Sequence, residues 1–521
     1  RSSGSEYLRR KPARKAASSA SSMRSDGRLR ARGRAIPAKS LERSGESAST
    51  SERAGTPPHS VPSPRMGVRL ELETLGARSV GALSRVAGRG GGTTLPGKLL
   101  WKLDPGAVDA LAARLPLGVA LVSATNGKTT TTAMAARILG GERRLAWNQA
   151  GANLLSGIAS ALVSTRKAEL GLLEVDEGAL FEAAARMRPR VVALSNLFRD
   201  QLDRYGELEL VAERWRRAVD GLPDSTMLVV NADDPVVSSL ADERTHALRF
   251  GLDDPRHARP ELQHAADSKY CIRCGTPYEY AAAYVGHLGD YRCPACEHAR
   301  PPLDVAARSI ELRGLVASCF RLEAPAGAVD IELALPGLYN VYNATAAASL
   351  AIALGASLTD VRAGLEAFSA AFGRFERIPT GGKTVVVLLI KNPAGANEVL
   401  RTLETGVPPV LVLALNDAIA DGQDVSWIWD VDFEPLLEHV GRVVASGDRA
   451  AELGLRLVYG GLPRDQLEIE PSLERALDRG LELVDAGTEL VVLPTYTAML
   501  ALREILSARG LVRPYWEGER P

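Results

Sequence analysis

Short apolar runs separated by longer stretches of helical spacing dominate the chain from residue 118 onward. Gly118-Val-Ala-Leu-Val-Ser123 is short, apolar and bounded by turn signals, which predicts a buried strand. It runs into a Thr/Gly turn and an Ala-rich helical stretch, Thr130–Leu139. Glu169–Val175 predicts a second strand, followed by a helix over Gly178–Arg188, and Arg190–Ser195 and Met227–Asn231 continue the alternation. Apolar strands separated by helices imply a parallel sheet covered on both faces. Residues 268–300 interrupt the pattern with Cys, Tyr and Gly, and Tyr339–Ser369 is helical in character. A second alternation runs through Thr384–Ile390, Val410–Leu415, Gly441–Ser446 and Glu489–Leu493, which predicts a second, smaller α/β domain. Upstream, from Gly67 to about Leu115, short apolar stretches alternate with Arg around the turn-rich Gly88–Gly97.

At 521 residues the chain suits about three domains of ordinary size. With 45% hydrophobic and 24% charged residues it is globular in composition, and its net charge of zero argues against bulk nucleic-acid binding. The balance hides an asymmetry, because residues 1–65 carry 15 Lys/Arg against 5 Asp/Glu. That segment is rich in Ser, Arg, Ala, Gly and Pro, too poor in large apolar side chains to offset its ordering entropy, and reads as disordered. It lacks the apolar core of a secretory signal; a transit peptide and an upstream extension before a start at Met66 are the two readings left, and the patterning that begins after Met66 favours the second. No run approaches the roughly 20 apolar residues that span a bilayer. Five cysteines, four of them clustered, do not form a disulfide framework in a chain this long, so the expected location is cytoplasmic.

Candidate chemistry concentrates in two places. After the first predicted strand comes Ser123-Ala-Thr-Asn-Gly-Lys-Thr-Thr130. In that setting Gly127 lets the backbone approach a phosphate, Lys128 brings a charge to the terminal phosphates, and the Thr129 hydroxyl is a ligand for Mg²⁺. The following helix offers its N-terminal amides, with Thr125, Asn126 and Thr130 flanking the turn. The generic phosphate-loop pattern wants Gly at position 122, which is Val, so the reading rests on Thr-Asn-Gly-Lys-Thr-Thr in its strand–turn–helix context. The alternative is a polar turn that caps a helix. The second place is Cys271-Ile-Arg-Cys274 with Cys293-Pro-Ala-Cys296, two tight pairs 18 residues apart. Four thiolates close a tetrahedral Zn²⁺ site, which makes the metal structural and the insertion a zinc ribbon. His287 and His298 then read as bystanders, a redox pair is the lesser alternative, and Cys319 reads as a small buried apolar residue.

The string around Gly127 resembles the nucleotide loop of the Mur ligase superfamily, with Ala124 where members usually carry Gly. The resemblance extends through Glu174-Val-Asp-Glu-Gly178, where it implies that Glu174 holds the Mg²⁺ that bridges the β- and γ-phosphates. It continues through Asn196–Asp203, through Asn231-Ala-Asp-Asp-Pro235, which implies adenine contacts from Asn231 and Asp234, and through Pro336–Asn343 with Asn340. It reaches the hinge Gly373-Arg374-Phe-Glu376, and the nucleotide contacts it implies include Asn340 and Arg374. A zinc ribbon within such a core, with Leu389–Asn397, Leu415–Asp430 and Pro494–Thr497, resembles the MurT family of ligase subunits over about residues 67–510. That resemblance implies amidation of the D-glutamate α-carboxylate of lipid II to D-isoglutamine, through an acyl phosphate made with ATP and Mg²⁺. Ammonia would come from a GatD-type glutaminase in a heterodimer, whose Cys and His would be completed by Asp424, with Asp421 and Asp430 close by in sequence. A lipid-linked substrate implies work at the inner face of the cytoplasmic membrane. Two departures stand out: no Lys lies between Lys167 and Lys269 to serve as the carbamoylated lysine of muramyl ligases, and Lys391-Asn392 replaces their acidic, His-containing turn.

The expected architecture is therefore an N-terminal segment over 66–115 and a central P-loop ATPase domain over 116–375 with the ribbon at 268–300. A Rossmann-like α/β domain over 376–521 completes it. The competing readings are a ligase that adds a free amino acid, of the muramyl or folylpolyglutamate kind, and a zinc-ribbon adaptor with a degenerate nucleotide site. The intact Lys128, Thr129 and Glu174 set counts against the adaptor.

Overall fold

The computed structural model describes residues 70, 73–79, 95–104, 106–148, 151–200, 208–263, 266–369 and 375–513. In chain order its strands are β1 (Val119–Ser123), β2 (Leu145–Trp147), β3 (Leu170–Glu174), β4 (Val191–Leu194), β5 (Met227–Asn231) and β6 (Ala247–Leu252). They continue as β7 (Glu279–Val285), β8 (Leu288–Arg292), β9 (Val305–Arg313), β10 (Ala317–Ala324), β11 (Gly327–Leu333) and β12 (Phe375–Thr380). The last are β13 (Lys383–Leu388), β14 (Val410–Ala414), β15 (Arg442–Ser446), β16 (Leu467–Ile469) and β17 (Glu489–Pro494).

Nine strands form one sheet in the order β11-β10-β9-β6-β5-β4-β1-β3-β2. From β2 to β9 neighbouring strands pair in parallel, which requires helical crossovers on the faces and explains why β1, β3 and β4 are buried along their whole length. The parallel sheet expected from the apolar runs is extended at one end by β9, β10 and β11, which pair antiparallel. Their charged side chains face water on one side, as in the Arg321–Asp330 and Arg313–Glu332 cross-strand pairs.

The helix Leu338–Ala353 is the spine of this body, with Ala344, Ala346, Ala347, Ala348 and Ala351 all buried. Small side chains let it lie close to the helix Lys128–Leu139 that follows β1. The same close packing recurs where Gly364, in the helix Leu358–Glu366, faces Ile138: a Cβ there would sit 2.6 Å from the Ile138 Cα. Between β6 and β9 the chain makes the antiparallel hairpin β7–β8, with the four ribbon cysteines just before and just after it.

The second sheet has the order β12-β13-β17-β14-β15-β16, parallel except for the β12–β13 hairpin. Its strand β13 leads into the helix Pro393–Glu404, which starts with Asn392 as N-cap and Pro393 in its first turn. That helix points its beginning at the turn after β1, so the C-terminal ends of strands from both sheets converge on one cleft.

Candidate active site

The turn between β1 and its helix is held from below. The Thr125 amide donates to the Asn196 carbonyl (2.9 Å), and the Asn126 amide to the Asn196 Oδ1 (2.9 Å), while the Asn196 Nδ2 returns a bond to the Asn126 carbonyl (3.1 Å). Gly127 follows with φ +83°, and a Cβ there would lie 1.9 Å from the Asn343 Oδ1. Both the left-handed backbone and the close approach of Asn343 therefore require glycine. The result is a bare-backbone cradle with helix amides exposed at its mouth, which suits a phosphate chain.

Lys128 lies under this cradle, 8% exposed, with its Nζ donating to the Ala124 carbonyl (2.5 Å) and to the Glu177 Oε2 (2.6 Å). Burial pulls its ammonium down, but Glu177, Asp176 and Glu174 more than offset this and hold it above the ordinary lysine value. Glu174, at the end of β3, is 1% exposed. Its Oε1 accepts from the Asn153 Nδ2 (3.2 Å), and its Oε2 is buried without a hydrogen-bond partner. A buried carboxylate oxygen left unspent beside a phosphate cradle, with the Thr129 hydroxyl on the adjoining turn, fits a hard divalent cation.

Sequence reasoning missed the part of the site that comes from the second sheet. The Lys391 Nζ crosses to donate to the Thr125 carbonyl (2.9 Å) and to the Asp200 Oδ2 (2.6 Å), and the Asp200 Oδ1 is buried without a partner. Next to it the Asn392 and Asn126 side-chain amides exchange hydrogen bonds of 3.0 and 3.2 Å. The departure noted at Lys391-Asn392 thus delivers a cation and an amide to the phosphate loop. The sequence signals were that departure and Asn392-Pro393, which reads as a helix start.

The cleft between the two bodies is lined at the loop end by Asn126, Gly127, Thr130, Asn196, Asn343 and Lys391. Its remaining wall is largely apolar, with Phe198, Val285, Leu288, Tyr339, Phe375 and Val399 among its members. Asn340 also lines it; its Nδ2 donates to the Pro336 carbonyl (2.8 Å) and its Oδ1 accepts from the Asn343 Nδ2 (3.2 Å). Asn231 and Asp234 are both fully buried; the Asn231 Oδ1 accepts from the Asp233 amide (3.1 Å) and its Nδ2 has no hydrogen-bond partner. The Asp234 oxygens are taken by the amides of Val236, Val237 and Leu197 and by the His287 Nε2 (3.3 Å), the usual fate of an aspartate that caps a helix. Asp234 therefore acts on the cleft at one remove, by holding the segment that carries Asn196 and Phe198. Arg374 and Asp203 lie outside the described residues, as does the segment 1–65.

The ribbon cysteines converge as their spacing required. The Sγ atoms of Cys271, Cys274, Cys293 and Cys296 all lie within 4.8 Å of one another, a separation suited to four thiolates on one Zn²⁺. Tyr278 and Tyr291 pack beneath them, and the Tyr278 hydroxyl and the His298 Nδ1 share a hydrogen bond of 2.7 Å. At its other end the hairpin reaches the cleft: Val285 and Leu288 line it, and the His287 ring lies 4.7 Å from that of Phe198. Cys319 is half-buried on β10.

The three aspartates of the loop 415–430 differ sharply. Asp421 is buried and spent, because it accepts from the Thr497 amide (2.8 Å) and hydroxyl (2.5 Å); burial pushes its carboxyl up. Asp430 faces Arg199 at 3.7 Å. Asp424 is exposed, and hydrogen bonds from the Ser426 hydroxyl and then the Ser426 amide (to Oδ1, 2.9 Å) hold its carboxyl below the usual range. No helix among the described residues is long and apolar enough to cross a membrane.

Comparison with known proteins places this geometry. The Mur ligase middle domain matches residues 122–290, and the MurT ligase C-terminal domain matches residues 389–499. The MurT subunit of lipid II isoglutaminyl synthase (glutamine-hydrolyzing) from Streptococcus pneumoniae is 33% identical over 456 residues, 86% of this chain and 99% of that protein. The chain belongs to the MurT family. Its counterpart from Staphylococcus aureus is 31% identical over 430 residues, 81% of this chain and 94% of that one. Among solved structures, a pseudomurein peptide ligase type C from Methanothermus fervidus shares the fold with TM-score 0.60 and 20% identity, over 75% of this chain and 78% of that one. Membership in the MurT family makes this protein a ligase of Mur type, with the two-sheet architecture and inserted cysteine ribbon described above.

Proposed function

We propose that the chain is the ligase subunit of a lipid II isoglutaminyl synthase, and that it uses ATP to convert the D-glutamate α-carboxylate of lipid II into D-isoglutamine. The observation that carries this reading is the closed phosphate cradle, with buried Lys128 and Glu174 beneath it and Lys391 across it, in a chain one-third identical to a MurT subunit along its length.

In this reading the amides after Gly127 and the Lys128 ammonium bind the triphosphate, and Lys128 leaves Glu177 to do so. Lys391 adds positive charge from the other side where charge develops as the γ-phosphoryl group moves to the substrate carboxylate. Glu174 and Thr129 would hold Mg²⁺, which supplies Lewis-acid neutralisation of the phosphates when bound. Ammonia attacks the carbonyl carbon of the acyl phosphate, phosphate leaves, and the ammonium proton is lost to give the amide. Four cysteines hold Zn²⁺ structurally. Asn340 and the apolar wall, joined by Arg374 from the hinge, would contact the nucleoside.

A GatD-type glutaminase supplies the ammonia, and Asp424 completes that partner's Cys–His pair. Its exposure supports this over Asp421, whose oxygens are occupied. A carboxylate so placed orients the partner's imidazole and stabilises its protonated form. The enzyme would work in the cytoplasm, at the membrane face where its lipid-linked substrate lies. The domain division proposed is a central unit over 116–375 and a C-terminal unit from 376. The test is co-purification with a glutaminase, then mass spectrometry of lipid II incubated with glutamine and ATP. A glutamate-to-isoglutamine shift that depends on Lys128 and Asp424 is expected, and no shift with an active glutaminase present refutes the proposal.

A further inference from the structure

The cysteine ribbon supplies no group to the phosphate cradle, yet its hairpin reaches the second body. β7 and β8 form a two-stranded sheet of their own, with the four cysteines gathered at its outer end. The inner tip packs on the segment beneath the phosphate loop. A Cβ on Gly286 would sit 2.8 Å from the Phe198 ring, and the Phe198 amide donates to the Thr125 hydroxyl (3.0 Å). The chain ahead of the ribbon rides on the same strand, since the Arg259 amide donates to the Ala283 carbonyl (2.7 Å).

Arg401, in the last turn of the helix Pro393–Glu404, closes on this surface. Its Nη1 donates to the Tyr284 carbonyl of β7 (2.7 Å) and its Nη2 to the His257 carbonyl (2.8 Å). One planar guanidinium thus joins two segments of the central body, through charge-assisted bonds about twice as strong as neutral ones. The same helix begins at Asn392, which pairs with Asn126, and Lys391 just before it donates to the Thr125 carbonyl. Arg401 lies nine residues after Asn392, about 13–14 Å along the axis at 1.5 Å per residue. The helix is therefore held at both ends by the central body, by the phosphate loop at its start and by the ribbon at its end. Between them Glu398, its side chain 2% exposed, faces Arg401 of its own helix at 3.9 Å and Arg259 of the central body at 3.5 Å. Its buried charge is balanced from both bodies only while they stay docked.

We infer that Arg401 is a positioning residue: it seats the C-terminal body on the ribbon hairpin and so sets Lys391 against the phosphate loop. The ribbon's task is to keep that seat rigid. A two-stranded hairpin is marginal by itself, which gives the four-thiolate metal site a reason to be there. Only the affinity arm of the test rests on the proposed use of ATP; the exchange arm stands without it.

The experiment uses the full chain, with displacement of a fluorescent ATP analogue by ATP and hydrogen exchange read by mass spectrometry. Arg401→Met should weaken ATP about tenfold, the worth of one charge-assisted hydrogen bond. Because Arg401 acts through Lys391, the double variant with Lys391→Met should bind within about twofold of Lys391→Met alone; losses that multiply overturn the inference. Arg401→Met should also speed exchange in residues 125–131 and 391–397 and leave β1 and β3 protected. Unchanged exchange in those segments overturns the seat, even if the wild type binds no nucleotide and the ATP reading falls. Zinc removal from the wild type by a chelator should reproduce the exchange pattern of Arg401→Met and add nothing to that variant. Exchange in 391–397 that ignores zinc removal refutes the ribbon's part. If Arg401→Met does not fold, Arg401→Lys, which keeps the charge and holds one carbonyl, decides by the same readouts with smaller losses.

Discussion

Replacing Lys391 by methionine keeps most of the side-chain volume and removes the one charge that ties the second sheet to the phosphate loop at this point. The ammonium is 26% exposed and its partner Asp200 is 7% exposed, so the pair is largely withdrawn from solvent. Removing one partner of a fully buried pair costs about 3–5 kcal/mol, because the other charge is left uncompensated. Partial exposure of the lysine lowers this to about 2–3 kcal/mol. The penalty falls on Asp200, whose Oδ1 already lacks a partner. Asp200→Asn should cost less, since Lys391 keeps the Thr125 carbonyl. With Asp200 neutral, losing Lys391 forfeits little more, so the double variant should resemble Asp200→Asn alone. Urea unfolding of the wild type, both single variants and the double variant yields the coupling as a double-mutant cycle. A value of about 2 kcal/mol is expected in the transition that separates the two bodies. Nucleotide affinity should fall in step, because Lys391 also lines the cleft. Costs that add within about 0.5 kcal/mol would refute the idea that this pair links the bodies.

Gly127→Ala should abolish nucleotide binding in a displacement assay while costing about 1–2 kcal/mol or more in stability, since it strains a positive-φ turn and drives a methyl into Asn343. Asp424→Ala should leave amidation with added ammonium salt intact and eliminate it with glutamine, whereas Asp421→Ala should lower the melting temperature by freeing the Thr497 donors; equal effects in both assays would contradict these roles. Cys271→Ser should reduce zinc from one equivalent per chain, read by plasma mass spectrometry, and chelation of the wild type should weaken nucleotide binding as Val285 and Leu288 loosen. Asp254 is held from an ordinary 3.8 down to about 2, chiefly by its bonds with Arg256 and also by the Ile310 amide. Its folded value lies below its unfolded one, so its contribution is complete above about pH 4 and lost toward pH 2. Thermal scans of wild type and Asp254→Asn should converge as pH falls through that window.

Both α/β bodies were legible because parallel strands buried on two faces leave uninterrupted apolar runs such as Val119–Ser123 and Val410–Ala414. Among the strands that escaped notice, β2, β12 and β16 are short or lie at sheet edges, while β6, β9, β10 and β11 carry polar and charged residues that break the apolar run. The site divides along the same line. Gly127, Lys128 and the cysteine pairs were readable because their chemistry is set by residues within a few positions of one another. Glu174 was reached through the resemblance of Glu174–Gly178 to the acidic strand end of Mur ligases. Lys391 lies more than 260 residues from the phosphate loop; the sequence marked it only as a departure from the acidic turn of muramyl ligases, and its bonds to Thr125 and Asp200 are set by packing. For Asp234 the packed structure adds what its motif could not show, that its oxygens cap a helix and hold the Leu197 amide. Sequence alone determines what short-range spacing and burial encode, which here is the two sheets, the phosphate cradle and the metal ribbon. How the two bodies meet, and so which distant charges share the cleft, is decided by tertiary packing, because that depends on long-range contacts no local pattern records.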